Sequence, residues 1–454
     1  MELTAKHDSA ISDAVVRFVA ALEFDALPER VRHECVRGFV NAIGCAVGGG
    51  RHAMVDVARD ALREFEGTPN ASLLGRGERS DLLNAALLNG VAGAAYSYFD
   101  TYSDALLHPA GPVAVALLAL SERTPVDGTR FMSAYAAGVE VACRLTRTVA
   151  VPPAEGQMAW SQTGIACGPA TALAVGKLIG LDAKSLEWAF GIAVSQSAGT
   201  RASHGSMAAS LIFGQAAQTG LRAALLAANG FTGSSGALED RYGFANVFSK
   251  RAHLPAMVAG LGSEFELMRN TYKPYPCGIV IHPAIDAMLR LRNQSTSFDS
   301  TRVERMQLSV SEGAASLCDR PDPTDDLEAK FSLQHWVAAA ATRGKAGFAE
   351  GGPDVIHDPE VRRLRGVVEV RGDASLANDA ADLSVHLDDG TRVTERVEHC
   401  VGSIERPMSD AELDAKFVDQ VGLAIGDRRA AALLSACRDV AALPDVAVLA
   451  RMAC

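Results

Sequence analysis

The chain has 454 residues, of which 48% are apolar and 21% are charged, so it can bury a large core, and an intrinsically disordered chain is excluded. Its 43 Lys and Arg residues against 54 Asp and Glu give a net charge of −11. This charge repels phosphate backbones and anionic lipid, so neither nucleic acid nor a membrane surface is an expected partner.

The first residues do not have the pattern of a secretory leader. Residues 1–13 alternate charged and small residues, whereas a leader places an apolar run after a basic start. We therefore expect a cytoplasmic protein. The nine cysteines include no C-x-x-C pair, which favours reduced thiols and argues against a zinc or iron–sulfur site.

From residue 10 to about residue 268 the pattern is helical and rich in Ala and Gly. Pro28 stands near the start of a stretch whose apolar residues fall on one helix face. Gly180 and Asp182 predict the end of one helix and the start of the next, where apolar residues recur with helical spacing. These signals predict a compact all-helical domain.

The pattern changes after Thr271. Alternation of apolar and polar residues predicts strands at 306–310, 368–370, 383–387 and 393–397. The last two runs flank Asp389 and Gly390, a pair typical of a hairpin turn. Helices are predicted between the strands, around 285–291 and 329–341. This part of the chain therefore predicts a smaller α+β domain.

Helical pattern returns from Asp410 onward, so the end of the chain is expected to rejoin the first domain. We predict a mainly α fold in which residues 1–268 and 401–454 form a large all-helical domain. Residues 269–400 form an inserted α+β lid domain. A cleft between two such domains is the expected place for a ligand.

The chain has no sequence motif of the kind that binds a phosphate or a nucleotide cofactor. Gly260 and Gly262 are not followed by the third glycine of a dinucleotide site, and Gly176-Lys177 lacks the spacing of a phosphate-binding loop. Residues 233–236 do not match a nucleophile elbow. We expect chemistry by side chains alone, with no cofactor and no metal.

Two polar clusters carry the candidate chemistry. The first places Tyr98, Asp100, Asp104 and His108 within eleven residues of an irregular segment, which is enough to hold and protonate a polar substrate. A structural interpretation stays open, because carboxylates can cap backbone amides and His108 precedes a proline that starts a helix.

The second cluster, residues 270–286, lies at the predicted boundary between the domains. Lys273 stands between Tyr272 and Pro274, and burial in a cleft lowers the pKa of a lysine toward the range of a useful base. The alternative is a surface lysine on a turn, with His282 capping a helix. The residues alone do not choose between the two.

The residues and the order of these clusters resemble the MmgE/PrpD family. The resemblance covers nearly the whole chain and continues through 163–164, 176–181, 205–220, 230–233, 328–334 and 407–417. It implies a helical domain made from both chain ends, a smaller α+β lid, a homodimer, and no cofactor or metal. The family includes 2-methylcitrate dehydratases, cis-aconitate decarboxylases and iminodisuccinate epimerases, so a small carboxylate substrate is implied.

Several polar positions of the family's lyases are replaced in this chain, while Asp100, His108 and Lys273 persist. In our alignment the replacements are Tyr98 and Thr101 for two acids, Ser161 for a histidine, Ala209 for a lysine, Ile212 for a histidine and His335 for a tyrosine. A pocket with fewer cations holds fewer carboxylates. We expect a substrate with fewer carboxylates or a bulkier, partly apolar body.

The resemblance and the residues together suggest proton transfer at a carbon next to a carboxylate. We predict Lys273 as the base, and His108 or Tyr98 as the source of the other proton. The predicted substrate-binding residues are Asp100, Ser161, Arg201, His204, Tyr272 and His335. Because the lyase positions are depleted, epimerase or isomerase chemistry is favoured over dehydration of the 2-methylcitrate type.

Structural alternatives remain for three of these residues. Tyr98 can fill space beside its neighbour in the chain, Arg201 can lie on an exposed turn, and His335 can be a core histidine that donates to a backbone carbonyl. For the whole protein, the alternative is a catalytically inactive family member that binds a small acid.

Overall fold

A computed structural model describes residues 10–157, 159–294 and 298–454. The expectation of no leader rests on residues 1–13, and residues 1–9 lie outside the described part. Within it, no helix combines the length and the apolar character that crossing a bilayer requires.

The fold is mainly helical, as the sequence predicts. The α-helices are α1 (Ala10–Ala21), α2 (Glu29–Gly49), α3 (Ala53–Leu62), α4 (Leu82–Ala94), α5 (Ala110–Ser121), α6 (Gly128–Ala150), α7 (Gln162–Leu178), α8 (Ala183–Val194), α9 (Met207–Ala228), α10 (Phe244–Phe248), α11 (Pro255–Val258), α12 (His282–Gln294), α13 (Glu312–Cys318), α14 (Asp326–Ala329), α15 (Leu333–Arg343), α16 (Pro353–Ile356), α17 (Pro359–Arg365), α18 (Asp410–Ile425), α19 (Asp427–Arg438) and α20 (Ala447–Met452). The β-strands are β1 (Ala71–Leu73), β2 (Glu78–Ser80), β3 (Asp100–Tyr102), β4 (Glu155–Gly156), β5 (Ser249–Arg251), β6 (Asn270–Tyr272), β7 (Val303–Val310), β8 (Val368–Gly372), β9 (Ala381–Leu387) and β10 (Arg392–Val397).

Local signals in the sequence explain where several helices start and stop. Gly180 follows α7 with a positive φ of 76°, a conformation that costs glycine little. Asp182 then caps α8 by accepting a hydrogen bond from the Ser185 amide at 2.8 Å. Ser409 and Glu412 form a reciprocal capping box at the start of α18.

One hydrophobic core contains residues from both ends of the chain. Phe39 and Ile43 of α2 belong to it, and so do Phe417 and Val421 of α18, which packs against α2. The burial of these large side chains joins the C-terminal helices to the N-terminal ones.

A second core holds the region between them. It runs from Cys277 to Cys400 and covers a four-stranded sheet with the order β10-β9-β7-β8. Strand β9 pairs antiparallel with both β7 and β10, whereas β8 pairs parallel with β7. The β9–β10 hairpin turns through Gly390 at φ 81°, where the sequence predicts the turn.

These two cores support the predicted domain division. We propose that residues 1–268 and 401–454 form the helical domain and that residues 269–400 form the lid, because each range has its own core.

Close packing of α4 on α9 requires glycine. A Cβ atom on Gly90 would lie 2.6 Å from the Gly214 Cα, and one on Gly214 would lie 2.3 Å from the Leu87 carbonyl oxygen. The two helix backbones therefore touch at this crossing. The contact fixes the position of Phe213, the neighbour of Gly214 that lines the cleft described below.

A buried ion pair holds the segment that leads into β6. Arg144 donates from Nε to Glu140 at 2.6 Å and from its other nitrogens to the carbonyls of Ala259 and Glu264, both at 2.7 Å. Glu140 also accepts from the amides of Glu266 and Leu267, both at 3.0 Å. Both charged side chains are almost fully enclosed.

Arg144→Met is expected to lower the free energy of unfolding by about 3–5 kcal/mol, because the Glu140 carboxylate would stay buried without its partner. Urea denaturation measures the loss. The control is Arg305→Met, which removes an exposed pair with Glu369 and should cost less than about 1 kcal/mol. Equal losses in the two variants would contradict this explanation.

Candidate active site

A short pair of strands joins the two polar clusters. Strand β3 from the first cluster pairs antiparallel with β6 from the second, so that Asp100 lies opposite Tyr272 and Thr101 opposite Thr271. Residues about 170 positions apart in the chain therefore become neighbours. The His108 segment and the Lys273 segment leave this pair on the same side of the molecule and meet at a cleft.

The cleft has a cavity volume of about 160 Å³ and lies between the two cores. Ile212 and Phe213 form apolar lining on the helical side, and Val280 and Leu317 on the α+β side. Its polar lining residues are Ser97, His108, Ser161, Arg201, His204, Ser206, Ser210, Lys273, Arg320 and Lys330. A mostly apolar cavity with a few converging polar groups is typical of a small-molecule site.

Lys273 is the most enclosed cation that lines the cleft, with 3% of its surface exposed. Its Nζ donates to the Ser97 carbonyl, the Ser97 hydroxyl and the Cys277 carbonyl, each at 3.1 Å. The same nitrogen lies 4.2 Å from the centre of the Phe99 ring. Burial lowers the pKa of Lys273 to about 7, because desolvation disfavours the charged form.

His108 also contacts the Phe99 ring. Its Nδ1 donates to the Asp100 carbonyl at 2.7 Å, which leaves Nε2 as the ring nitrogen available to a ligand. Burial, and next the Lys273 charge, hold the pKa of His108 well below its ordinary value, so the ring is neutral at pH 7. The Phe99 and His108 ring centres are 4.1 Å apart, which places the Lys273 Nζ within 8.3 Å of the imidazole centre.

A cationic wall faces these two groups. Arg201 and His204, from the helical side, and Arg320, from the α+β side, all line the cleft. The His204 ring stacks on Phe331 at 5.4 Å, and the Arg320 guanidinium lies 5.5 Å from the same ring. Burial and the charges of Arg201 and Arg320 lower the pKa of His204. This wall suits a carboxylate, which arginine binds with two hydrogen bonds.

Sequence reasoning missed two cations of the site. Arg320 follows α13 without any motif that marks it. Lys330 lies in segment 328–334, whose resemblance to the family could have marked it as a site residue. Its Nζ donates to the Ala95 carbonyl and lies 3.4 Å from Asp326. Both are contributed by the α+β part of the chain.

Ser161, Ala209 and Ile212, the positions at which we expect replaced cations, all line the cleft. Ser161 caps α7 by accepting from the Gly164 amide at 3.3 Å. The predicted binding residues Ser161, Arg201 and His204 thus lie together with Lys273 and His108. The wall around Ala209 and Ile212 is apolar.

The structure does not bring Tyr98 or Asp100 to the cleft. The Tyr98 hydroxyl donates to the Pro274 carbonyl at 2.9 Å, and burial raises the pKa of Tyr98 well above its ordinary value, which makes it a poor proton source. Asp100 is fully buried and accepts from the Ala110 amide and the Asn270 side chain, at 3.1 and 2.7 Å. Asp100 therefore caps α5 and positions His108 through its carbonyl, as the structural interpretation proposed.

Tyr272 and His335 also point elsewhere. The Tyr272 hydroxyl donates to Glu34 of α2, on the far side of β6 from the cleft. The His335 ring is fully enclosed in α15, where Nε2 donates to the Glu350 carbonyl at 2.8 Å, and burial lowers its pKa to about 4. The prediction that Tyr272 and His335 bind substrate is therefore wrong, and both side chains have structural roles.

Among the described residues, one group has the spacing of a possible metal site: Asp379, His399 and Glu405. It lies on the surface, none of its members lines the cleft, and the His399 Nδ1 is bonded to Asp379 at 2.7 Å. Exposed acidic groups of this kind are common without a metal.

Comparison with known proteins identifies relatives along nearly the full chain. The model of the MmgE/PrpD N-terminal domain matches residues 13–256, and that of the MmgE/PrpD C-terminal domain matches residues 275–439. A cis-aconitate decarboxylase of Aspergillus terreus is 26% identical over 93% of this chain and 91% of its own length. The cis-aconitate decarboxylases of Mus musculus and Homo sapiens are 23% and 24% identical, over 98% and 97% of this chain and 93% and 94% of theirs. The chain belongs to the MmgE/PrpD family.

Proposed function

We propose that the protein is a cofactor-independent lyase that abstracts a proton from the carbon next to a carboxylate of a small acid. The observation that carries this proposal is that Lys273 and His108 both contact the Phe99 ring and line one cleft, together with a cationic wall. Proton abstraction at such a carbon needs an acceptor, a donor and a cation for the carboxylate. The cleft contains all three.

The hydrogen bonds support His108 as the proton acceptor and Lys273 as the donor. A neutral imidazole with Nδ1 bonded to a carbonyl presents the Nε2 lone pair, whereas the Lys273 ammonium has its three protons directed at three acceptors. This reverses the assignment that we made from the sequence, in which Lys273 is the base. The pH dependence argued in the Discussion distinguishes the two.

The relatives named cis-aconitate decarboxylase favour lyase chemistry, and they make cis-aconitate the first acid to test. A second candidate is an epimerase or isomerase. The apolar residues Ala209 and Ile212 favour it, because binding a tricarboxylate for the loss of carbon dioxide or hydroxide needs more cations than moving one proton of a smaller acid does. The same acceptor and donor serve both reactions.

Incubation of the protein with a panel of small di- and tricarboxylates in deuterated water tests the proposal. A dehydratase gives a new alkene, whereas a decarboxylase releases carbon dioxide and its product takes up deuterium at the protonated carbon. An epimerase or isomerase incorporates deuterium without any loss of a fragment. The absence of both product and exchange across the panel would contradict the proposal.

The remaining alternative is a catalytically inactive protein that binds a small acid. Thermal shift with the same panel separates it, because a ligand that binds only the folded state must raise the melting temperature. Stabilisation without turnover or exchange would support this alternative.

The proposal also keeps the expectation of a homodimer in the cytoplasm. Size-exclusion chromatography with light scattering tests the dimer.

Arg201→Gln and Arg320→Gln are each expected to raise KM about 10- to 100-fold, because each removes a charge-assisted bond to the carboxylate worth about 1.5–3 kcal/mol. The value of kcat should change less than about threefold if the bond is equal in ground and transition states. The control is Arg371→Gln, an exposed arginine on β8. If either variant has the same KM as the control, that arginine does not bind the substrate carboxylate.

A further inference from the structure

Among the hydrogen-bond partners that the described residues offer the Lys273 ammonium, Ser97 is the one that can also give a proton away. Two of the three acceptors around Nζ are the backbone carbonyls of Ser97 and Cys277, which only accept. The third is the Ser97 hydroxyl, at 3.1 Å. While its oxygen accepts from Nζ, its own hydrogen remains available to a neighbour.

Ser97 also lines the cleft. An ammonium bonded to three acceptors has no proton left for a substrate, so a direct transfer from Lys273 would first have to break one of these bonds. A transfer through the hydroxyl breaks none of the carbonyl bonds. A route through Ser97 needs no such break, because the proton moves along an existing hydrogen bond.

The backbone at Ser97 is strained. Its φ is 53°, in the left-handed region that residues other than glycine rarely occupy. This conformation directs both the carbonyl and the hydroxyl of one residue at the same nitrogen. Strain of this kind is concentrated at functional sites.

From this juxtaposition we propose that Ser97 is a catalytic residue that relays a proton between Lys273 and the substrate carbon. The inference rests on the proposed function, which it deepens. In the donating direction, the Ser97 O–H bond breaks and a bond from that hydrogen to the substrate forms. The Lys273 N–H bond breaks as its proton moves to the Ser97 oxygen, and Nζ keeps the electron pair as a neutral amine.

The hydroxyl then turns to donate to the amine, and a proton from solvent or from the next substrate restores the ammonium. No oxidant or reductant takes part, and charge is conserved at each step. The relay serves decarboxylation and epimerisation alike, since each of them ends with a proton delivered to a substrate carbon, and in a dehydration it would protonate the departing hydroxide instead.

Kinetic analysis of Ser97→Ala tests the relay, with an acid that the panel shows to be a substrate. We expect kcat to fall about 10²-fold or more with KM changed less than about threefold. Ser97→Gly should show the same loss with an equal or higher melting temperature, because glycine relieves the positive φ. Ser97→Cys, which keeps a transferable proton, should recover part of the rate.

The control is Ser103→Ala, on the same segment, whose hydroxyl bonds to Thr271 at 3.0 Å and does not line the cleft. Its kcat should equal that of the wild type. If Ser97→Ala and Ser97→Gly keep more than about a third of kcat, the relay is wrong while the proposed function stands.

A second measurement does not depend on turnover. The pH dependence of acetylation of Lys273 by trace acetic anhydride, read by mass spectrometry, gives the protonation midpoint of this amine in the whole protein. Loss of the hydroxyl acceptor should lower that midpoint by about one pH unit in Ser97→Ala. Ser103→Ala should leave it unchanged, and an unchanged midpoint in Ser97→Ala overturns the relay even if no acid is turned over.

The midpoint also depends on the other charged and titratable groups around Nζ. These are Cys45, Asp100, His108, His204, Cys277, His282, Cys318 and Lys416. None of them is changed in the Ser97 variants, so a shift in the midpoint reports the lost hydroxyl.

Discussion

Lys273→Met is expected to lower turnover by about 10²- to 10⁴-fold while the protein stays folded. Methionine matches the length of the lysine side chain and keeps its apolar contact with Phe99, but it carries no proton to transfer. The carbonyls of Ser97 and Cys277 lose a donor, which costs about 1–3 kcal/mol each. Removal of an unpaired buried charge offsets this cost.

The same variant should change how stability depends on pH. The pKa of Lys273 is about 7 in the folded protein and 10.5 in an exposed lysine, so between these values the unfolded chain binds a proton that the folded protein lacks. Stability of the wild type therefore rises with pH in this window. Between pH 7 and pH 9 the wild type should gain about 2 kcal/mol relative to Lys273→Met.

Urea denaturation of both proteins at pH 7, 8 and 9 measures this difference. Lys184→Met is the control, because Lys184 is half exposed on α8 and its removal should not alter the pH dependence. Parallel stability curves for wild type and Lys273→Met would show that the ammonium is not desolvated. Turnover undiminished in Lys273→Met would remove Lys273 from the mechanism.

The sequence predicts the elements around the site well where a local signal exists. The start of α8 follows from Gly180 and Asp182, and the β9–β10 hairpin follows from alternation around Gly390. Each signal acts within a few residues, through a cap or a turn that fixes φ. Such signals do not depend on the rest of the fold.

Contacts between distant segments could not be predicted in the same way. Strands β3 and β6 have three residues each, too few for alternation to mark them, yet their pairing brings the two clusters together. Ser97 and Arg320 stand in no recognisable motif. They belong to the cleft because of where the helical and α+β parts meet.

The direction of side chains explains two further differences. Successive residues of an extended chain point to opposite sides, so Tyr272 reaches Glu34 while Lys273 reaches the cleft. Likewise, Tyr98 bonds to Pro274 while its neighbours Ser97 and Phe99 line the cavity. Proximity in the sequence therefore groups residues that the backbone separates.

A buried lysine behind the site was also missed. Lys416 of α18 is enclosed and donates to Asn41 and to the Tyr98 carbonyl, both at 2.7 Å. Burial lowers its pKa to about 8, and its charge helps to lower the pKa of Lys273. Thus a residue from the C-terminal helices adds to the effect of burial on the protonation of Lys273.

His108→Asn is expected to lower turnover by about 10²- to 10⁴-fold without a large loss of stability. The asparagine amide nitrogen can take the place of Nδ1 and donate to the Asp100 carbonyl, so the local structure is kept. What disappears is the nitrogen that faces the cleft. His108→Gln is the complementary variant, since its amide reaches the Nε2 position but cannot accept a proton from carbon at neutral pH.

The pH dependence of kcat/KM then decides the direction of transfer. If His108 accepts and Lys273 donates, the wild-type rate falls as pH rises through about 7, because the pKa of Lys273 is near 7 and its proton is lost above it. Because the pKa of His108 is well below its ordinary value, the imidazole stays neutral as the pH falls below 7. The loss of rate that comes from protonating His108 therefore occurs at lower pH. A value of kcat/KM that instead rises through pH 7 would assign the base to Lys273, as the sequence predicts. Asp100, Lys416 and His204 are charged or titratable groups near this amine and His108, and they are unchanged in these measurements. Wild-type turnover in either His108 variant would show that His108 is not needed as a proton acceptor. Lys273 would then be the one group in use, as a proton donor, which is what a simple decarboxylation requires.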